Sequence, residues 1–443
     1  MIKVKFLFFV FLLVLVGCNQ GEWVDEQPAK PVEGEVETEA DVNLFKDEIT
    51  IKVWSYYEAG LEEAFQLFRV KYPNIKFELE MLDYENYHNV YFEALVNGEG
   101  PDIMFIDSPH FGEFNSIEIF QDLLEEPFSM GDYQQNFSES LWNVGQSFDR
   151  KKMVGFPVNT APHVTFYRAD IMEEYGFPSD PEELGNYMED PTNWLTMANE
   201  LKKDSKYLIQ WPNNIREIYD TGTAIFDEDL NFMRNTPEYE QMIELARLVR
   251  HDSLTLGIDI WLDQEPIKND ELVMLFLGTW GSDLLKSWVP DQKGKWRVTR
   301  LPFNIYGWSN SAIMSIPLAS ENKKAAWEFI KFYSIELTGG EDYIVSVPGY
   351  LPSRGNERAR STPNYYLGGQ QPRQYYEDLI YKTKEHIITP LDKDAEKIWS
   401  DNFEKGIQWN ISGDEIIKRT KEDIENQHGR VREILLESKN NSQ

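Results

Sequence analysis

Short apolar runs bounded by turn formers alternate with amphipathic stretches from Glu48 onward. ITIKVWSYY has the β-branched and aromatic content of a strand, and GLEEAFQLFRVKY sets Leu61, Ala64, Phe65 and Phe68 on one helical face. IKFELEML, introduced by the Pro73-Asn74 turn, reads as a second strand, and ENYHNVYFEALVNGEG as a helix that ends at Gly98 and Gly100. IMFI, opened by Pro101-Asp102 and broken off at Asp107-Ser108-Pro109, is a third, short and buried strand. The order β-α-β-α-β predicts a parallel sheet covered by helices on both faces. Parallel strands share a direction, so the polar exits Ser55-Tyr56-Tyr57-Glu58 and Asp107-Ser108-Pro109-His110 fall on one edge. The carboxyl edge of such a sheet is where ligands bind.

Upstream the pattern changes. MIKVK carries two positive charges and FLFFVFLLVLV is an apolar run of about eleven residues, the length of a signal-peptide core and well short of the ~20 that span a membrane. The run ends at Leu15-Val16-Gly17-Cys18, which resembles a bacterial lipobox. That resemblance implies a signal peptide over residues 1–17, lipid (palmitate) on Cys18 and a membrane anchor on the extracytoplasmic face. Cys18 is the only cysteine, so an intramolecular disulfide is excluded. GEWVDEQPAKPVEGEVETEADVNL is acidic, holds Pro and Gly and lacks a sustained apolar period, which predicts a disordered tether over residues 18–47. About 395 residues remain, more than a single core usually supports, so two lobes are expected.

Composition narrows function. With 43 basic and 76 acidic residues the net charge is -33, which argues against nucleic acid and other polyanions. The same excess hides the ligand's charge, because sequence does not separate solvated carboxylates from carboxylates gripping a cation. Aromatic residues make up 14% of the chain, which suits a ligand held on ring faces, although most single rings belong to cores. The chain has no Gly-x-Ser-x-Gly, His-Glu-x-x-His, Walker lysine loop or Gly-x-Gly-x-x-Gly, and His88, His110, His163, His251, His386 and His428 show no ligand spacing. No cofactor is expected. A carbohydrate-active enzyme built on paired carboxylates is the competing reading.

The segment from Val53 to Ser108 resembles the amino-terminal lobe of extracellular solute-binding proteins of ABC importers, in the carbohydrate-binding group that includes maltose-binding protein. The likeness continues through GFPVNTAPHVTFYRADIMEEYGF, FDEDLNFMRNTPEYEQMIELARLV, LGTWGSDLL, GWSNSAIMSIP, KKAAWEFIKFYS and ITPLDKDAEKIWSDNFEKGIQ. It implies an α/β two-lobe clamp, each lobe a mostly parallel sheet flanked by helices, with the ligand cleft between them. Residues 48–157 and 307–334 would form the first lobe, and 158–306 with 335–443 the second. PVNTAP and RLPFNIYGWSN read as Pro-punctuated crossings between them. The resemblance further implies a monomer that is not an enzyme, a sugar ligand, and permease subunits driven by a separate ATPase.

A sugar offers a C-H face to a flat ring and a rim of hydroxyls to planar polar groups. Trp280 is the leading platform, in what reads as an apolar helix cut by Gly278 and Gly281; Trp211 leaves an apolar strand before Pro212. Trp308, Ser309 and Asn310 match family positions near the cleft, as does Trp399, which at helical spacing serves equally as a core residue. Tyr56, Tyr57 and Glu58 extend the first strand to the edge, and Asp107 and Ser108 the third, with Asp107 also placed to cap the helix that follows. Asn159 and Thr160 bond ligand or satisfy crossing backbone. Polyamine, peptide and polyol phosphate are the alternative solutes; a phosphate would call for an Arg or Lys cluster at a helix N-terminus, and none is visible at the expected edges.

Overall fold

The computed structural model describes residues 45–337, 346–384 and 387–441. Cys18 and the expected signal peptide lie outside these residues, as does the expected tether up to residue 44. The first half of the alternation forms as the pattern dictates. Strand β1 (Ile49–Ser55) pairs in parallel with β2 (Ile75–Met81) and β3 (Ile103–Asp107), so that Val53 faces Leu79 on one side and Ile103 on the other. Helix α1 (Leu61–Lys71) buries Leu61, Ala64, Phe65 and Phe68 against this sheet, and α2 (Tyr87–Val96) buries Tyr87, His88 and Tyr91. All five residues of β3 are buried, and its last residue, Asp107, caps the one-turn helix α3 (Ser108–Phe111).

Beyond β3 the sheet changes sense. Its order is β2-β1-β3-β7-β4-β5, where β4 is Phe156–Arg168, β5 Met274–Gly278 and β7 Trp308–Ser315. Strand β7 is antiparallel to both β3 and β4, and β4 is antiparallel to β5, to β6 (Trp296–Thr299) and to β8 (Val347–Pro348). The architecture is α/β, as expected, but the sheet is mixed and its parallel part is confined to β2-β1-β3. Strand β4, antiparallel to β7, therefore runs in the same sense as β3, whereas β5, β6, β7 and β8 run against it.

PVNTAP is no loose connection: it lies inside β4, whose first half pairs with β7 and whose second half pairs with β5 and β6. Pro157 and Pro162 are accommodated by register shifts, between Pro157 and Asn159 and between Ala161 and Pro162, the positions where a strand tolerates a missing N–H. The apolar run before Gly278 is strand β5 rather than a helix, because five residues satisfy their backbone by pairing with β4. YLIQW before Pro212 makes only a single bridge, Tyr207 to Leu272, and no strand.

One apolar core joins β1, β3, the first part of β4 and the Lys323–Lys331 helix, with Ile335, Leu337 and Tyr350 against it. Another gathers Tyr167, Trp194 and the helices Pro237–His251 and Asp392–Gln408. Trp194, Trp296, Trp327 and Trp399 are wholly buried, so much of the aromatic content fills cores. Among the described residues no helix is long and apolar enough to cross a membrane.

Candidate functional site

The exits of β1 and β3 do meet. Tyr56 stacks on Tyr87 at 4.8 Å and touches Tyr57 and Tyr84 at 4.9 and 5.5 Å between ring centroids. Beside them lies Asp107, 2% exposed. One carboxylate oxygen accepts from the Tyr84 hydroxyl at 2.9 Å; the other accepts from the Asn310 amide at 3.0 Å and from the Ser108 N–H at 3.1 Å. The Asp107 N–H donates in turn to the Tyr87 hydroxyl at 3.0 Å. Asp107 is thus both a cap and the centre of a polar cluster. Burial holds its carboxyl above the usual range, opposed by the hydrogen bonds from Tyr84 and Asn310. Desolvation likewise raises the Tyr56, Tyr84 and Tyr87 hydroxyls, which therefore stay protonated and able to donate at neutral pH.

Asn310 carries the cluster across to Trp280. The Trp280 indole N–H donates to the Asn310 side-chain oxygen at 3.4 Å, and the Asn310 carbonyl accepts from Thr160 Oγ1 at 3.2 Å. Trp280 occupies the turn between β5 and the Gly281–Trp288 helix, and its ring folds back over Gly278: a Cβ there would sit 2.2 Å from the indole nitrogen. Gly278 is required for that pose. Trp261, 54% exposed, flanks Trp280 at 6.3 Å and Trp288 at 5.4 Å. The Ser108 hydroxyl accepts from the Ser311 N–H, and Ser311 Oγ donates to the Asn159 carbonyl at 2.6 Å. The Tyr57 hydroxyl is buried without a well-formed hydrogen bond, with only a loose approach to the Asn159 side chain.

Next to this edge opens a cavity of about 520 Å³. Ser108, His110, His163 and Trp308 form one wall; the Asn213–Asp220 helix and Asp392, Lys393 and Glu396 form the other. That second wall carries a charge network. Arg216 pairs with Asp220 at 2.6 Å, and Arg234 with Glu396 at 2.5 Å and with Asp220 at 3.4 Å. Desolvation raises Asp220 despite the two arginines, and pushes Asp392 up to about 7 against the hydrogen bonds from Thr389.

Tyr56, Tyr57, Asp107, Asn310 and Trp280 therefore come together as one edge, and Ser108 and Trp308 join it to the cavity. Glu58 is exposed at the start of α1, where its carbonyl accepts from the Leu61 N–H. Trp211 stands 42% exposed against Gly257, without a contact to Trp280. Trp399 is wholly buried, its indole N–H on Asp220 and its ring against Phe232, Tyr239 and Phe403. Of its two readings burial favours the core residue, and no face is left for a ligand.

Sequence reasoning missed Tyr84, Tyr87 and Trp261. Tyr84 follows the end of β2, so the rule that placed β1 and β3 on the edge already pointed to it. It also missed the arginines: Arg216 and Arg234 do reach the cavity region, from segments with no shared motif, and carboxylates already engage both.

The α/β fold with its mixed sheet is that of a solute-binding protein. A model of the bacterial extracellular solute-binding protein family matches residues 63–360, and the chain belongs to that family. It is 24% identical over 364 residues to a lactose-binding protein of Rhizobium radiobacter, covering 76% of this chain and 82% of the relative. Among solved structures, an extracellular solute-binding protein of family 1 superposes with a TM-score of 0.72 at 15% identity, over 84% of this chain and 98% of that one. The galacto-N-biose-/lacto-N-biose I-binding protein of an ABC transporter from Bifidobacterium longum, in complex with lacto-N-biose, gives 0.70 at 15% identity over 86% and 97%. An ABC substrate-binding protein from Listeria monocytogenes in complex with cycloalternan gives 0.67 at 18% over 87% and 100%. These structures share the two-lobe fold; the family is one of binding proteins located outside the cytoplasm.

Proposed function

We propose that the protein captures a sugar or oligosaccharide outside the membrane and passes it to an ABC permease, with closure of two lobes around the ligand. The observation that carries this reading is the hydrogen-bonded row Tyr84, Asp107, Asn310 and Trp280. It sets planar hydroxyl partners beside a partly buried indole, which is what a pyranose needs: dispersion on its C-H face and directional bonds at its rim. The lobes would be 48–157 with 307–334, and 158–306 with 335–443; closure would move Trp280 relative to Asp107 through β4 and β7. The relative that binds lactose and the folds solved with lacto-N-biose and cycloalternan support a saccharide. Binding is not followed by turnover in this reading; of the cavity carboxylates Asp220 and Glu396 sit in ion pairs with Arg216 and Arg234, and Asp392 accepts hydrogen bonds from Thr389.

A thermal-shift screen tests it, with lactose, lacto-N-biose, maltodextrins and cycloalternan set beside spermidine and oligopeptides. A ligand bound only by the folded state stabilises by about 2.7 kcal/mol at a hundredfold excess over its Kd. At least one saccharide is expected to raise Tm in proportion to log concentration. A shift by spermidine or peptide with none by any saccharide overturns the sugar reading in favour of the acidic cavity as a cation site.

Lipid on Cys18 would hold the protein at the outer face of the membrane, beside its permease. Cys18→Ser is expected to leave the membrane fraction and stay folded; retention at the parent's level counts against the anchor.

A further inference from the structure

We propose that His88, His110 and Glu113 form a divalent transition-metal site on the rim of the cavity, of the kind that takes Zn²⁺. Each of the three can offer a ligand atom such that all three atoms lie within 4.8 Å of one another. The fold holds the two histidines together: the Asp107 N–H donates to the Tyr87 hydroxyl, which fixes the start of α2 over the start of α3. His88 and His110 then lie face to face, 4.4 Å between centroids and 6° from parallel, and His110 Nδ1 is 3.1 Å from a Glu113 oxygen. His88 is 7% exposed and its Nδ1 is buried with no hydrogen-bond partner. An orphaned buried ring nitrogen costs free energy, and a metal bond is one way to satisfy it.

Two imidazoles and one carboxylate suit zinc, cobalt or nickel better than calcium or magnesium, which prefer all-oxygen shells. Bonds of about 2.0–2.1 Å put tetrahedral ligand atoms about 3.3 Å apart, so the cluster has to contract by an ångström or so, through side-chain rotation. A three-residue set leaves a coordination position open, and His110 itself lines the cavity, so water or a ligand hydroxyl can complete the shell. Lys393 stands in the way. Its ammonium is 3.0 Å from both Glu113 oxygens, and a metal on Glu113 has to displace it. Lys393 belongs to the opposite wall, so occupancy of the site competes with an ion pair that bridges the cavity. This inference does not depend on the identity of the solute.

The test is calorimetric titration of the chelator-stripped protein with Zn²⁺, with Co²⁺ as a spectroscopic substitute. One equivalent is expected to bind, with visible cobalt bands of a low-coordinate nitrogen and oxygen shell. His110→Ala and Glu113→Gln, both at partly exposed positions, should each weaken binding tenfold or more, and His88→Gln should do the same if circular dichroism shows it folded. Lys393→Ala should tighten binding severalfold, which no chance surface site elsewhere would do, and His251→Ala should leave it unchanged. Absence of stoichiometric binding overturns the proposal, as does binding that survives His110→Ala and Glu113→Gln. Saccharide shifts in Tm that persist in the metal-free protein leave the solute reading intact while the metal reading fails.

Discussion

Trp280→Ala is expected to weaken the best saccharide of the screen by tenfold or more while the urea midpoint of the ligand-free protein barely moves. The indole is half-buried, packs over Gly278 and gives one hydrogen bond, to Asn310. It packs at the margin of an apolar core rather than within it. Its loss removes a dispersion surface under the sugar and admits water, together worth ~1–3 kcal/mol of binding. Calorimetry and urea unfolding on the same variant separate the two quantities. An unchanged Kd in a folded Trp280→Ala protein sinks the platform, and the exposed neighbour Trp261 becomes the next ring to remove.

The opposite result is expected at Trp399. Its ring is wholly buried among Phe232, Tyr239 and Phe403, and its N–H is one of the groups that keep Asp220 satisfied. Trp399→Ala should lower the unfolding free energy by ~3–5 kcal/mol through the cavity it leaves, with ligand affinity of the still-folded protein held within a fewfold. Affinity lost at full stability would show that the ring meets the ligand after all.

The contrast between these two tryptophans shows what a sequence reveals here. Both lie beside helical patterns, and only the packing of distant segments decides which is covered. The early β-α-β-α-β order was legible because each apolar run is bracketed by its own Pro, Gly or Asp, and α1 buries the four residues its spacing selects. The edge shared by Tyr56 and Asp107 followed from strand direction alone. Later signals are non-local. MLFLG is too short to declare itself strand or helix, and becomes a strand only because β4 lies open beside it. The Arg216–Asp220–Arg234–Glu396 network draws on three separate segments, so no spacing announces it. The histidines failed every ligand spacing for the same reason: His88 and His110 come from either side of β3 and meet only once that strand is in the sheet.

Strand β7 sits between β3 and β4 although it comes about 140 residues after β4 in the chain. A growing chain that has not yet delivered Trp308–Ser315 leaves β3 and β4 as two raw edges with unpaired backbone, each able to template aggregation. Closing so long a loop has an entropic cost that falls due before the contacts form, so assembly of the sheet is slow by topology. Any truncation short of Ser315 leaves both edges bare and is therefore expected to yield inclusion bodies rather than a smaller folded protein.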